Sequence, residues 1–165
     1  KGITYTRGKW VYFLGADDRL LAGFAQLATK LENENTIYYG DMSYNGQVTS
    51  RKKYTAYRLS KETICHQAII YPAKVFNYYS YNLNYPLVAD WVLNLQLWGD
   101  KRFKFKFFPY VIADFSMAGA SSTNKDLNFF RDRPGLIKKH LGLTIYLRFL
   151  LKQIKGSVYH FIRLT

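Results

Sequence analysis

Apolar residues fall in short runs along this chain, and the spacing within each run assigns it to a strand or a helix. Trp10, Val11, Tyr12, Phe13 and Leu14 form a compact stretch that stops at Gly15-Ala16-Asp17-Asp18, the pattern of a buried strand running into an acidic turn. Leu20, Leu21, Phe24, Leu27, Ala28 and Leu31 then recur at helical spacing, which predicts a helix over 19–31 with Asp17 or Asp18 able to cap its first turn. Residues 36–39 are β-rich, and the turn formers Gly40-Asp41 and Asn45-Gly46 that follow predict a strand and then a hairpin between 36 and 58.

A second apolar run covers 64–71, interrupted by His66-Gln67, and Pro72 opens a short helical segment that reaches Phe76. An aromatic loop over 77–85 precedes a helix that begins at Asp90 and carries Trp91, Leu93, Leu95 and Leu97. From 101 to 106, basic residues alternate with Phe103 and Phe105, the period of a half-buried strand with one basic face, extending toward Ala113. Small residues over 116–123 read as a loop, and helices over 126–130 and 136–154 are separated by Pro134-Gly135. No internal repeat is visible.

Composition narrows the picture. A chain of 165 residues suits one domain, since such units run to roughly 100 to 200 residues. A hydrophobic fraction of 48%, with 15 Tyr and 12 Phe, excludes a disordered chain. Lys and Arg outnumber Asp and Glu by 24 to 11, leaving +13, a field that attracts nucleic acid, anionic lipid or diphosphate-bearing substrates without choosing among them. The cations gather at 51–53, at 101–106 and after Arg131. A single cysteine, Cys65, permits no internal disulfide and leads us to expect a reducing, cytoplasmic setting. No apolar run reaches the roughly 20 residues that span a bilayer.

The candidate chemistry centres on Asp17 and Asp18. Carboxylates at a strand's C-terminal end can hold a divalent cation that neutralises charge on a departing phosphate; the bland alternative makes one of them a helix cap and the other a solvated side chain. Around this pair the sequence Gly8-Lys9-Trp10-Val11-Tyr12-Phe13-Leu14-Gly15-Ala16-Asp17-Asp18 resembles the acidic strand end of family 2 glycosyltransferases with the GT-A fold. Lys1-Gly2-Ile3 is similar to the end of that family's preceding segment. Tyr39-Gly40-Asp41, His66-Gln67-Ala68, Ala89-Asp90-Trp91 and the stretch from Phe115 to Ser121 follow in the family's order, so the likeness covers about residues 1–125. It is nearest to the bacterial enzymes that assemble colanic acid and other exopolysaccharides.

The resemblance implies an α/β fold: the C-terminal portion of a GT-A, Rossmann-like mixed sheet flanked by helices, with a basic amphipathic helix at the end. It divides the chain into an incomplete catalytic domain over 1–125, holding the metal and acceptor half, and a helical extension over 126–165. It implies transfer of a sugar from a nucleotide-diphosphate donor to a saccharide or lipid-linked acceptor, inverting at the anomeric carbon. In that scheme Asp18 ligates Mn2+ or Mg2+, Asp17 lies nearer the donor, and Asp90 is the general base. Asp90 read alone is also a helix cap. Gly15 stands where many members carry an acidic or polar residue. His66 remains open between metal ligand, phosphate donor and core histidine, and if 64–71 is a strand then only one of His66 and Gln67 faces the pocket. Ser116, Gly119 and Ser121 belong to a loop that either closes over the donor diphosphate or is ordinary surface. The nucleotide-binding β-α-β part of the family fold, roughly 80 residues, is expected to lie outside this chain, which on its own is then expected to be inactive.

Arg131 and Arg133 follow the loop as phosphate partners or solvated cations. On one continuous helical wheel, Lys138, Arg148, Lys152 and Lys155 fall within an arc of about 100°, largely opposite Leu136, Leu143, Leu147, Leu150 and Ile154. Such a helix either lies peripherally on the inner leaflet of the plasma membrane or docks its apolar face on the core. A basic nucleic-acid-binding module is the rival class, suggested by +13 and by the alternating cations and aromatics of 101–106. The acidic positions argue against it, and no nucleic acid is expected as a partner.

Overall fold

The computed structural model describes residues 2–44, 46–49, 52–116 and 125–162, with side chains through Lys155. Among the described residues six strands form one mixed sheet: β1 (Trp10–Tyr12), β2 (Arg19–Leu20), β3 (Thr36–Tyr44), β4 (Gln47–Val48), β5 (Ile69–Pro72) and β6 (Lys104–Phe115). Their order is β1-β5-β3-β6-β2, with β4 paired to the far end of β3. β3 and β6 are parallel, from Thr36 opposite Lys104 to Tyr44 opposite Phe115. All other pairings are antiparallel. The expected α/β architecture, a mixed sheet flanked by helices, is therefore present.

Side-chain alternation sends Ile37 and Tyr39 to one face of β3 and Tyr38 to the other, and the core divides accordingly. Helix α1 (Ala22–Ala28) covers the second face with Phe24 and Leu27. The first face is covered by α3 (Ala89–Gly99), which buries Val92, Leu93, Leu95 and Leu97. Full burial of such a side chain stabilises by about 1.5–3 kcal/mol each. A single-turn α2 (Ala56–Leu59), capped by Thr55 accepting from the Arg58 amide, lies beside it. Beyond α3 pack α4 (Leu127–Leu141) and α5 (Leu143–Ile162).

Several expectations are corrected. The segment over 19–31 begins as strand β2, and α1 starts only at Ala22 with Leu21 at its N-cap, so neither Asp17 nor Asp18 caps it. β3 runs on through Gly40-Asp41, absorbing them as a register shift against β6 rather than a turn; the hairpin turn is at Gly46, with φ of 75°. The strand of the second apolar run is only Ile69–Pro72, because His66–Ala68 is a 3-10 turn.

At the C-terminal end Pro134 does not stop the helix. Asp126 accepts from the Phe129 amide as N-cap, and α4 continues unbroken to Leu141. Proline forfeits one backbone bond, but Phe129, Arg133 and Ile137, one turn apart, are all buried, and Phe129 and Arg133 pack on Trp91 of α3. The break falls instead at Gly142, where φ is 87°, a left-handed conformation that suits glycine.

Candidate functional site

Strands β1 and β2 sit on opposite edges of the sheet, so residues 13–18 cross its end between them. That end is also where β6 finishes and where the 66–68 turn enters β5. Asp18, half-buried in the crossing, joins all three places. Its Oδ2 accepts from the Gly15 amide at 3.0 Å and from Gln67 Nε2 at 2.7 Å, and its Oδ1 accepts from the Ser116 amide at 3.0 Å. A Cβ at Gly15 would stand 2.5 Å from Asp18 Oδ2, so any larger residue there would make the carboxylate shift. Asp17, next to it, is exposed.

Gln67 is 2% exposed and bonded at both ends of its side-chain amide. Its Oε1 accepts from Cys65 Sγ at 2.6 Å and its backbone carbonyl from the Tyr12 hydroxyl at 2.8 Å. The thiol therefore fixes which end of the amide faces Asp18. Burial, together with the negative charges of Asp90 and Asp18, pushes the Cys65 thiol up to about 12, so it stays a protonated donor and an inert group.

The 3-10 turn changes the facing of its residues. A strand would have sent His66 and Gln67 to opposite sides, whereas here both line one cleft. His66 Nδ1 lies 3.9 Å from Asp90 Oδ2. Asp90 occupies the first turn of α3, with Oδ1 accepting from the Trp91 amide at 2.8 Å. Burial holds its carboxyl above the ordinary value, opposed by His66 and by the first-turn amides. Asp90 thus carries a helix-start contact and also faces the cleft.

That cleft has a volume of about 680 Å³. Its walls are mostly apolar, with Phe13, Tyr81, Pro86, Trp91 and Phe115 around His66, Gln67 and Asp90. Trp91 is fixed by its indole N–H donating to the Leu59 carbonyl at 2.8 Å. A large cleft with a few convergent polar groups is the usual form of a small-molecule site. Of the loop residues singled out in the sequence, Ser116 is placed by its amide on Asp18, while Gly119 and Ser121 lie outside the described residues. Arg133 lies away from solvent, its guanidinium donating to the Ser60 carbonyl at 3.0 and 2.7 Å, 4.7 Å from the Trp91 ring centroid. Arg131 pairs with Asp132.

Among the described residues no three His, Cys, Asp or Glu side chains gather as a closed metal cage. Asp18 Oδ1 carries one hydrogen bond and has a lone pair to spare, and Asp17 is open to solvent. That donor set fits a cation of the Mg2+ type, which is commonly held by one or two carboxylates and completed by substrate phosphates and water.

No family model matches the chain. Over 157 residues it is 31% identical to a PGL/p-HBAD biosynthesis glycosyltransferase of Mycobacterium bovis (strain BCG / Pasteur 1173P2) and, equally, to proteins of the same description in Mycobacterium tuberculosis strains ATCC 25177 / H37Ra and ATCC 25618 / H37Rv. The match takes in 89% of this chain and 60% of each relative. The similarity is thus to glycosyltransferases that act in biosynthesis, over less than two thirds of their length.

Proposed function

We propose that this chain supplies the metal and acceptor half of an inverting glycosyltransferase of family 2 with the GT-A fold, moving a sugar from a nucleotide-diphosphate donor to a saccharide acceptor. The observation that carries the reading is the Asp18 carboxylate, which ties Gly15 of the 13–18 crossing, Gln67 of the 66–68 turn and Ser116 just past β6 together beside the cleft that Asp90 faces. Likeness to named glycosyltransferases supports glycosyl transfer, and the mostly apolar cleft with Asp90 in its wall does not favour nucleic acid.

In this reading Asp18, with Asp17, would hold Mn2+ or Mg2+, which would supply positive charge to offset the negative charge developing on the leaving diphosphate. Asp90, its proton affinity tuned by burial and by His66, takes the proton of the acceptor hydroxyl. The acceptor oxygen then bonds to the anomeric carbon as the bond from that carbon to the diphosphate oxygen breaks, with inversion. His66 stabilises the charged form of Asp90, and Ser116, Gly119 and Ser121 belong to the loop over the diphosphate. The apolar walls exclude water from the reacting centre. We place the reaction in cell-surface glycolipid or exopolysaccharide biosynthesis, on a lipid-linked acceptor at the cytoplasmic face of the plasma membrane.

A full-length protein containing this chain is the material for the test, assayed against a panel of nucleotide sugars with manganese. Asp90→Asn is expected to lower kcat by about 10²–10⁴-fold, the usual share of a general base. Asp18→Asn is expected to abolish the response to manganese. Unchanged rates in both variants refute the assignment.

A further inference from the structure

Helix α5 is anchored on one side only. Phe149 is 4% exposed, its ring centroid 5.0 Å from the Arg133 guanidinium. On the far side Leu143, Leu147, Leu151 and Ile154 are 58%, 50%, 60% and 60% exposed. Their spacing of four, four and three keeps them in one stripe about 80° wide. Four neighbouring branched aliphatics at this exposure form a patch of the kind that marks an interaction surface.

The charge around the patch selects the partner. From Arg133 to the end of the sequence there are seven Lys and Arg and no Asp or Glu. Arg148, Lys152 and Lys155 are exposed along the stripe's flank, about a quarter-turn away. Two copies of this surface pressed together would oppose their own cations in a low-dielectric contact, which disfavours self-pairing. No helix among the described residues is long and apolar enough to cross a membrane. An apolar stripe flanked by basic side chains on such a helix suits the boundary of an anionic bilayer, leucines toward the acyl chains and cations at the headgroups.

We propose that the outer face of α5 is an in-plane docking surface for an anionic lipid bilayer. The proposal deepens the function given above, resting on it for the lipid-linked acceptor alone, and its test does not depend on transfer. The full chain is sedimented with vesicles of phosphatidylcholine and with vesicles that also contain phosphatidylglycerol. Wild type is expected to partition onto the anionic vesicles at least about tenfold more strongly, and less so as salt is raised. The double variant Leu147→Asn/Leu151→Asn removes exposed side chains only, so thermal unfolding should stay near that of wild type while binding falls about tenfold or more. Lys152→Gln/Lys155→Gln should erase the preference for the anionic lipid. Equal partition of wild type and the leucine variant overturns the proposal, as does absence of binding to anionic vesicles. Concentration-dependent self-association that the leucine variant abolishes also overturns it, in favour of a second copy as the occupant. Loss of manganese-dependent transfer in Asp18→Asn with vesicle binding intact separates the two readings.

Discussion

In the proposed reaction Asp90 would meet two demands that pull against each other. Burial favours its neutral form, while a base must be charged to accept a proton. Because burial raises its proton affinity in the folded state, the folded chain binds more protons than the unfolded one just above the ordinary carboxylate range, and stability falls as pH rises through that window. Asp90→Asn should therefore unfold at a temperature a few degrees higher than wild type at neutral pH, with the gap closing in acid; a variant that melts lower at pH 7 contradicts this. His66→Ala removes the neighbour that favours the charged form, so the acidic limb of the pH–rate profile should move to higher pH. At Gly15 the constraint is steric. Gly15→Ala should displace the Asp18 carboxylate and weaken manganese binding by about 10- to 100-fold, the scale of lost ligand-orienting contacts, measured by titration of the metal with the fold checked by circular dichroism. Asp18 and Asp90 were singled out in the sequence by the resemblance of their surroundings to a family's ordered motifs; position alone left each readable as a helix cap, and the structure puts Asp18 in the connection before β2 and Asp90 in the first turn of α3. Gln67 was not singled out, because its partner lies 49 residues away and a local 3-10 turn reversed the facing that strand periodicity implies.

Among the elements, α4 shows how a tertiary anchor overrides local propensity. Pro134-Gly135 is a stop signal on its own terms, yet the aromatic cage around Arg133, formed by Trp91, Phe129, Phe130 and Phe149, holds the helix through it. The same cage joins α4 and α5 to α3 at Trp91, which lines the cleft. Arg133→Lys keeps the charge but loses the planar stack and the forked donation to the Ser60 carbonyl, and should cost about 2 kcal/mol in chemical denaturation. An unchanged midpoint would show that the cage contributes only bulk. The break at Gly142 also divides the long helix expected from the sequence, so the exposed stripe of Leu143, Leu147, Leu151 and Ile154 belongs to α5. Amphipathicity was readable; the side left bare depended on where α4 anchored.

At the scale of the molecule, alternating strand and helix patterns foretold an α/β sheet. The strand order did not follow from them, since β1 and β2, six residues apart in the chain, occupy opposite edges. Residues 13–18 alone make the connection between those edges, and within it Asp18 is held to Gly15, Gln67 and Ser116. Deleting Ala16 should therefore strip β2 from β6 or pull Asp18 off Ser116, detected as lost protection of the Ser116 amide in hydrogen exchange. The acidic turn works in this way as a tie-rod between the two margins of the sheet. Because Asp18 holds Gln67, just before β5, and Ser116, just after β6, in one set of contacts, a chain misassembled at either edge is expected to lose the place of that carboxylate.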